Sequence, residues 1–200
     1  MSALAKPFYT PEQYLELERN ADYRSEYISG QIFAMAGGSP RHSAIISNVN
    51  GAAWSQLRGR SCQVFNNDLR VTVMQTGLRT YPDVTIVCGE THIHPLDKDS
   101  IINPTVLFEI LSPTTEAHDR GEKWAHYRKL DSLQEYVLVS QDQILVEHFV
   151  RQEDDSWKFT ATEGLDASIF LPSLNCTLPL AEVYDRVVFE AITENASVLQ

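Results

Sequence analysis

Several common sequence signatures are missing from this chain of 200 residues. No apolar run approaches the length of about 18 residues that a membrane-spanning helix needs, so we expect no membrane insertion. The segment 1–10 lacks the basic start and apolar stretch of a signal peptide. The sequence has no glycine-rich phosphate loop, no serine or cysteine nucleophile motif and no paired CxxC motif. A membrane channel is therefore excluded, and none of the familiar nucleophile or phosphate-loop enzymes is indicated.

Cysteine is scarce. The chain has three cysteines, Cys62, Cys88 and Cys176, and they are far apart, odd in number and without metal-type spacing. We predict that they are reduced thiols in the core of a cytoplasmic protein. Because 43% of the residues are hydrophobic, the chain can build a core without a disulfide or a structural zinc.

Basic residues are also in short supply, with 16 Lys and Arg against 27 Asp and Glu and a formal net charge of −11. Such an acidic chain is not typical of a general nucleic-acid binder, because phosphate binding depends on Lys and Arg that replace counterions. One stretch is an exception, with four arginines and one acid: Arg58, Arg60, Arg70, Arg79 and Asp68. We predict that any DNA-binding surface includes this stretch; the alternative is a charged sheet edge that discourages pairing.

Local signals predict a mixed α/β chain. Thr10-Pro11-Glu12-Gln13 forms a capping box that begins a helix to about Arg19, and Ser39-Pro40 begins a second, amphipathic helix. A hairpin is expected around Ser29-Gly30. Asp119 is the expected N-cap of a helix over about 120–130.

A strand-rich middle completes the expected fold. The nearly continuous apolar stretch 105–111 predicts a strand that is buried on both faces, which is typical of a sheet covered by helices. We also expect two hairpin strands over 135–139 and 144–150, and further strands over 157–162 and 169–171 that extend the same sheet. The predicted architecture is one α/β domain over 1–200, with a core of about 10–185 and one mixed sheet flanked by helices.

Acidic residues inside apolar strands are the most informative feature. Glu109 and Asp83 each lie within an apolar strand, and Asp68 opens a third strand. Because a buried carboxylate is costly unless it is paired or binds a metal, these acids predict an oxygen-rich site for Mg²⁺ or Mn²⁺. The backbone carbonyl of Ile110 would add a further oxygen. The alternative is that each acid is held by an Arg or a Tyr.

The helix after the Glu109 strand supplies a candidate cation. Asp119, Lys123 and Tyr127 follow one another at i, i+4 steps and so share one helix face. Lys123 could then contact an attacking water or a phosphate oxygen, unless it is a solvent-exposed lysine. Asp119 is interpreted as a helix cap, and Tyr127 as a packing residue with a hydroxyl group.

These residues occur in an order that resembles a known family. Pro82-Asp83, Glu109 and Ser112-Pro113 leading to Lys123 are similar to the Uma-two family of bacterial restriction-endonuclease-like proteins, within the PD-(D/E)XK nuclease superfamily. The resemblance covers about 10–185 and also includes four further segments: Tyr27-x-x-Gly30-x-Ile32, Gly37-Gly38-Ser39-x-x-His42, Asp68, and Glu135-Tyr136-Val137-Leu138-Val139.

The resemblance implies a restriction-endonuclease-like fold and metal-dependent phosphodiester cleavage. It implies that Asp83 and Glu109 are metal ligands, with Glu26 and Asp68 as further acids that complete the site. The superfamily places a lysine two residues after the glutamate, where this chain has Leu111, and the family resembled replaces it with the helix lysine, here Lys123. A homodimer is expected at the level of the family.

The leading hypothesis is a Mg²⁺- or Mn²⁺-dependent DNA endonuclease. His42 is a candidate general base because imidazole titrates near neutral pH, although a histidine on an amphipathic helix is more often a core or rim residue. The first alternative is a catalytically inactive nuclease-fold module that binds DNA or protein. The second is a metal-dependent hydrolase of small phosphate esters.

Overall fold

The computed structural model describes residues 7–35 and 37–189. The helices are α1 (Pro11–Asn20), α2 (Pro40–Leu57), α3 (Glu116–His118), α4 (Trp124–Tyr127) and α5 (Leu180–Val183). A π-helical turn, Asp119–Lys123, joins α3 to α4. The first seven strands are β1 (Ser25–Ile28), β2 (Gln31–Ala34), β3 (Cys62–Asn66), β4 (Arg70–Val73), β5 (Leu78–Thr80), β6 (Val84–Cys88) and β7 (Ile93–His94). The others are β8 (Asp97–Ile101), β9 (Val106–Leu111), β10 (Glu135–Ser140), β11 (Leu145–Arg151), β12 (Trp157–Glu163), β13 (Ser168–Leu171) and β14 (Cys176–Pro179).

The local capping and turn predictions are confirmed. Thr10 accepts a hydrogen bond from the Gln13 N–H at 3.3 Å, while the Thr10 N–H donates to Gln13 Oε1 at 2.8 Å. Ser39 caps α2 through the His42 N–H at 3.1 Å. Ser29 and Gly30 both have positive φ, 48° and 84°, as a two-residue turn with the twist of a hairpin requires.

The α/β class is confirmed, but the strands form two large sheets instead of one. The first sheet has the order β2-β1-β5-β4-β8-β7, and the second has the order β12-β11-β10-β9-β6-β3. The segment 81–83 carries the chain from β5 in the first sheet to β6 in the second. The sequence predicts one strand over 81–88 because nothing local marks this change of sheet. Strand β13 does not extend the second sheet, since it pairs with β14 in a separate hairpin.

Two apolar cores cover the two faces of the second sheet. Helix α2 packs on one face, where Ile45 and Val49 meet Val84 and Phe108. On the other face, Leu107 and Tyr136 pack with residues of the first sheet and of the helical segment 116–127. Strand β9, which carries Glu109, is therefore buried on both faces, as predicted.

The cysteine prediction is wrong in part. Cys62 and Cys88 form a disulfide, while Cys176 is a buried free thiol. The two bonded cysteines are 26 residues apart in the sequence, but the antiparallel pairing of β3 with β6 places them directly opposite each other. Within the described ranges, none of the helices is long and apolar enough to span a membrane.

The predicted N-cap role of Asp119 is also wrong. The helical segment begins at Glu116, four residues earlier than the sequence predicts, so Asp119 lies inside the segment. Its carboxylate has turned toward Lys123, at 3.0 Å, and the Asp119 carbonyl accepts a hydrogen bond from the Tyr136 hydroxyl at 3.0 Å. The Asp119 carboxylate therefore pairs with the buried ammonium group of Lys123 and does not cap a helix.

Candidate active site

Glu109 lies in the middle of β9 and is only 3% exposed. Its Oε1 accepts hydrogen bonds from Tyr127 Oη at 2.8 Å and from Lys123 Nζ at 3.2 Å. Both donors come from the helical segment that follows β9. The structure thus brings Glu109, Lys123 and Tyr127 together, and the i, i+4 spacing correctly placed the last two on the side that faces the sheet.

Lys123 is buried among three carboxylates. Besides Glu109, its Nζ lies 3.0 Å from Asp119 Oδ1 and 3.0 Å from Glu26 Oε1. Burial opposes the charged form, but attraction by Glu109, Glu26 and Asp119 outweighs it and raises the pKa of Lys123 well above its ordinary value. Lys123 is therefore a fixed positive charge and not the solvent-exposed lysine of the alternative interpretation.

Asp83 immediately precedes β6, where the chain crosses between the sheets. Val84 pairs with Phe108, so the next step of the antiparallel register brings Asp83 beside Glu109. The Ile110 N–H donates to Asp83 Oδ2 at 2.7 Å, and His42 Nε2 lies 3.3 Å from the same oxygen. The two predicted metal ligands therefore come from neighbouring strands, and His42 reaches the site from the start of α2.

Glu26 enters the site from β1 of the first sheet. Its carboxylate accepts a hydrogen bond from the Thr80 hydroxyl and lies 3.3 Å from His118 Nε2. Burial acts to raise the pKa of Glu26, but its contacts with His118, Lys123 and Thr80 dominate and lower it to about 2. Glu26 is therefore ionised and helps to hold Lys123.

His118 and Thr80 are neighbours of the site that the sequence reasoning missed. His118 Nδ1 lies 3.2 Å from Glu122 Oε2, so the ring stands between two carboxylates. Its hydrogen bond to Glu26 raises the pKa of His118. The i, i+4 spacing of His118 and Glu122 was a local signal for one contact, whereas Thr80 has no sequence signal because it meets Glu26 only through the β1–β5 pairing.

The remaining pKa shifts follow from burial and excess negative charge. Burial raises the pKa of Glu109 well above its ordinary value, and repulsion from Asp119 and Asp83 adds to the shift that Lys123 opposes. Burial lowers the pKa of His42, but its hydrogen bond and attraction to Asp83 produce a net rise. The carboxyl groups of the site therefore repel one another, and this repulsion disfavours the ionised form of Glu109.

The donor set fits a hard divalent cation better than it fits zinc. Both protein contacts of Glu109 use Oε1, and those of Asp83 use Oδ2, so Glu109 Oε2 and Asp83 Oδ1 have no partner among the described residues. In the described ranges, no three His, Cys, Asp or Glu side chains form a metal-binding group. Mg²⁺ needs only one or two carboxylates, with water and substrate phosphate completing its shell. Two carboxyl oxygens without a protein partner among the described residues match that requirement.

Asp68 does not join this group, contrary to expectation. It lies on the turn between β3 and β4, and its exposed carboxylate pairs with Arg24 and with Asn66. This ion pair and hydrogen bond hold the Asp68 carboxylate at the surface, and it makes no contact with Asp83 or Glu109 among the described residues. The predicted third carboxylate is therefore corrected to a surface ion pair.

The predicted arginine surface is split. Arg70 and Arg79 are buried in the first sheet, where Arg70 pairs with Asp97 at 3.3 Å and both arginines lie over tyrosine rings. Arg58 and Arg60 are exposed at the end of α2, although Arg60 also binds the Leu174 carbonyl. The four arginines therefore do not form one DNA-binding surface.

Comparison with known proteins identifies the family. Residues 11–181 match the Uma2 family, described as "Putative restriction endonuclease". The chain belongs to this family. It is similar to "Uncharacterized protein slr1290" of Synechocystis, with 33% identity over 92% of this chain and 95% of that protein. It is also similar to "Uncharacterized protein sll1609" of the same organism, with 30% identity over 80% of this chain and 90% of that protein.

A solved structure shares the fold. It is a "putative nuclease belonging to DUF820" from Anabaena variabilis, with a TM-score of 0.74 and 22% identity over 90% of this chain and 99% of that one. The predicted restriction-endonuclease-like fold is therefore confirmed, as is the predicted family.

Proposed function

We propose that this protein is a Mg²⁺- or Mn²⁺-dependent DNA endonuclease. The supporting observation is the arrangement of Asp83 and Glu109 on neighbouring strands, with the ammonium group of Lys123 at 3.2 Å from Glu109. Leu111, at the usual lysine position, is buried in an apolar core. Lys123 supplies the positive charge from the helical segment instead.

Asp83, Glu109 and the Ile110 carbonyl would hold the cation. A bound divalent ion would offset charge on the phosphoryl oxygens and favour ionisation of water. Lys123, kept charged by three carboxylates, orients the attacking water or stabilises the negative charge of the transition state. Tyr127 fixes the Glu109 carboxylate through its 2.8 Å hydrogen bond. His42, with its Nε2 at 3.3 Å from Asp83 Oδ2, is the candidate general base.

A cleavage assay tests this proposal. Supercoiled and single-stranded DNA should be cut in the presence of Mg²⁺ or Mn²⁺, and Asp83→Asn and Glu109→Gln should abolish cutting. Glu163→Gln, a matched change at an exposed acid on β12, should leave it intact. Calorimetric titration with Mn²⁺ reports binding separately from activity. Unchanged cutting by either site variant would reject the assignment.

The second candidate is a nuclease-fold module that binds without cleaving. It is favoured by the net charge of −11 and by the engagement of Lys123 with three carboxylates. This candidate predicts DNA retention without cutting under every metal condition. A hydrolase of small phosphate esters would instead cleave bis(p-nitrophenyl) phosphate and retain no DNA.

The assembly and location follow from the leading proposal. We propose a homodimer, because cutting both strands of DNA benefits from two sites, and light scattering of the purified protein measures its mass. We propose the cytoplasm as the location because the DNA substrate is there. Reducing conditions would then favour the open form of the Cys62–Cys88 pair.

A further inference from the structure

The longest helix, α2, lies in a stretch of the sequence that contains no acidic residue. Between Glu26 and Asp68 the sequence contains no Asp or Glu and has three arginines, Arg41, Arg58 and Arg60. Helix α2 lies within this interval, in a protein whose net charge is −11. A polyanion that approaches the site across this helix meets less repulsion than it would on an average part of the surface.

Helix α2 begins beside the candidate active site. His42, in the first turn, contacts Asp83, while Ser43, Ser47 and Gly51 are exposed along the helix. Twelve residues after His42, at a rise of about 1.5 Å per residue, the helix reaches Trp54, roughly 18 Å away. The side of α2 near Asn48 approaches the Asp185 backbone. The exposed side carries Ser43, Ser47, Gly51 and Trp54.

Trp54 and Arg58 form an aromatic and cationic pair at the far end of this exposed side. Trp54 is 54% exposed, and the Arg58 guanidinium carbon lies 5.3 Å from the centre of its ring. An exposed tryptophan beside a guanidinium group can stack an unpaired base and contact the adjacent phosphate. The same pair would fit poorly against a continuous duplex, whose bases are already stacked.

We propose that the outer face of α2 is a binding track for single-stranded DNA, with Trp54 stacking a base and Arg58 contacting phosphate. The proposal rests on the proposed nuclease function, because it gives that substrate a route to Asp83 and Glu109.

Fluorescence anisotropy of labelled oligo(dT), measured with EDTA and the full chain, tests binding without cleavage. Trp54→Ala should weaken binding by about tenfold or more, and Trp54→Phe should restore most of it. Arg58→Ala should reduce the dependence of affinity on salt by about one phosphate contact. Phe159→Ala and Arg128→Ala, matched changes at exposed residues elsewhere, should have no effect.

The outcomes separate this proposal from the nuclease assignment. Mn²⁺ binding should be the same in Trp54→Ala and in the unaltered protein. Suppose that Trp54→Ala loses affinity for the oligonucleotide and that the unaltered protein cleaves no DNA. That result would support the DNA-binding track on α2 and reject the proposed nuclease activity. Unchanged affinity in both Trp54→Ala and Arg58→Ala would reject the track. A change from dimer to monomer at constant DNA affinity would also reject it, because the face would then bind a second copy.

Discussion

The ammonium group of Lys123 lies 3.0 Å from Glu26 Oε1, and this contact joins the helical segment to the first sheet. The same Nζ is 3.2 Å from Glu109 on β9 of the second sheet. One cation therefore connects the two sheets at their junction. Because all three groups are buried, each depends on the others for charge compensation, and the site is linked to the stability of the fold.

Lys123→Met should lower the free energy of unfolding by about 3–5 kcal/mol, since three buried carboxylates lose their cation. The variant should also lose DNA cleavage. Urea denaturation gives the stability, and the plasmid assay gives the activity. Lys129→Met, a change at an exposed lysine nearby, is the control and should alter neither.

The double variant Lys123→Met/Glu109→Gln tests the pair itself. It should recover part of the stability lost in Lys123→Met, because one uncompensated carboxylate has been removed, but it should not recover activity. The coupling free energy from the double-mutant cycle should lie well above the few tenths of a kcal/mol that independent sites give. Strict additivity would mean that Lys123 and Glu109 do not interact in the folded protein.

The lowered pKa of Glu26 predicts that the folded protein loses stability in acid. Its folded pKa of about 2 lies below the ordinary value of 4.5, so ionised Glu26 stabilises the fold above about pH 4.5. That contribution, at most about 3 kcal/mol, is lost as the pH falls toward 2. The stability difference between the unaltered protein and Glu26→Gln should therefore shrink between about pH 5 and pH 3. Denaturation curves at several pH values measure it.

Glu16→Gln, on the exposed side of α1, is the matched control for this series. Its free energy of unfolding should change with pH in the same way as that of the unaltered protein. A constant difference between the unaltered protein and Glu26→Gln across the whole range would contradict the lowered pKa.

Local signals were sufficient for much of the fold and for part of the site. The capping box at Thr10 and the hairpin at Ser29-Gly30 depend on neighbours within a few residues. The pairing of Lys123 with Asp119 is likewise a matter of i, i+4 spacing. Such features could be predicted because the interacting groups are close in sequence.

The features that could not be predicted depend on contacts between residues that are far apart in the sequence. Cys62 meets Cys88 only because β3 pairs with β6, and Arg70 is buried only because Asp97 comes from a neighbouring strand. The Asp119 carboxylate pairs with the buried Lys123 and does not have the expected role of a helix cap. In each case the partner that changes the interpretation lies in another element or becomes buried through tertiary packing.

The Cys62–Cys88 disulfide should contribute measurably to stability. It closes a loop with a sequence separation of 26, for which the chain-entropy relation gives a loss of about 3 kcal/mol on reduction. Urea denaturation with and without a phosphine reductant measures this difference. Cys62→Ser/Cys88→Ser should match the reduced protein and show no response to the reductant. Equal stability of the reduced and oxidised forms would contradict the prediction.

Arg70 should act on stability and not on DNA binding. Its Nε lies 3.3 Å from Asp97 Oδ2 in an ion pair that is buried on both sides, and its guanidinium carbon lies 5.3 Å from the Tyr81 ring centre. Asp97→Asn leaves this charge without its carboxylate and should cost about 3–5 kcal/mol, measured by urea denaturation. Asp99→Asn, an exposed neighbour on the same strand, should change little.

The same variant separates Arg70 from the exposed Arg58. Under conditions where Asp97→Asn remains folded, its affinity for oligo(dT) and the salt dependence of that affinity should equal those of the unaltered protein. Because the net charge rises by one in both Asp97→Asn and Asp99→Asn, the second variant controls for the change in overall field. A selective loss of DNA affinity in Asp97→Asn would mean that Arg70 takes part in DNA binding although it is buried.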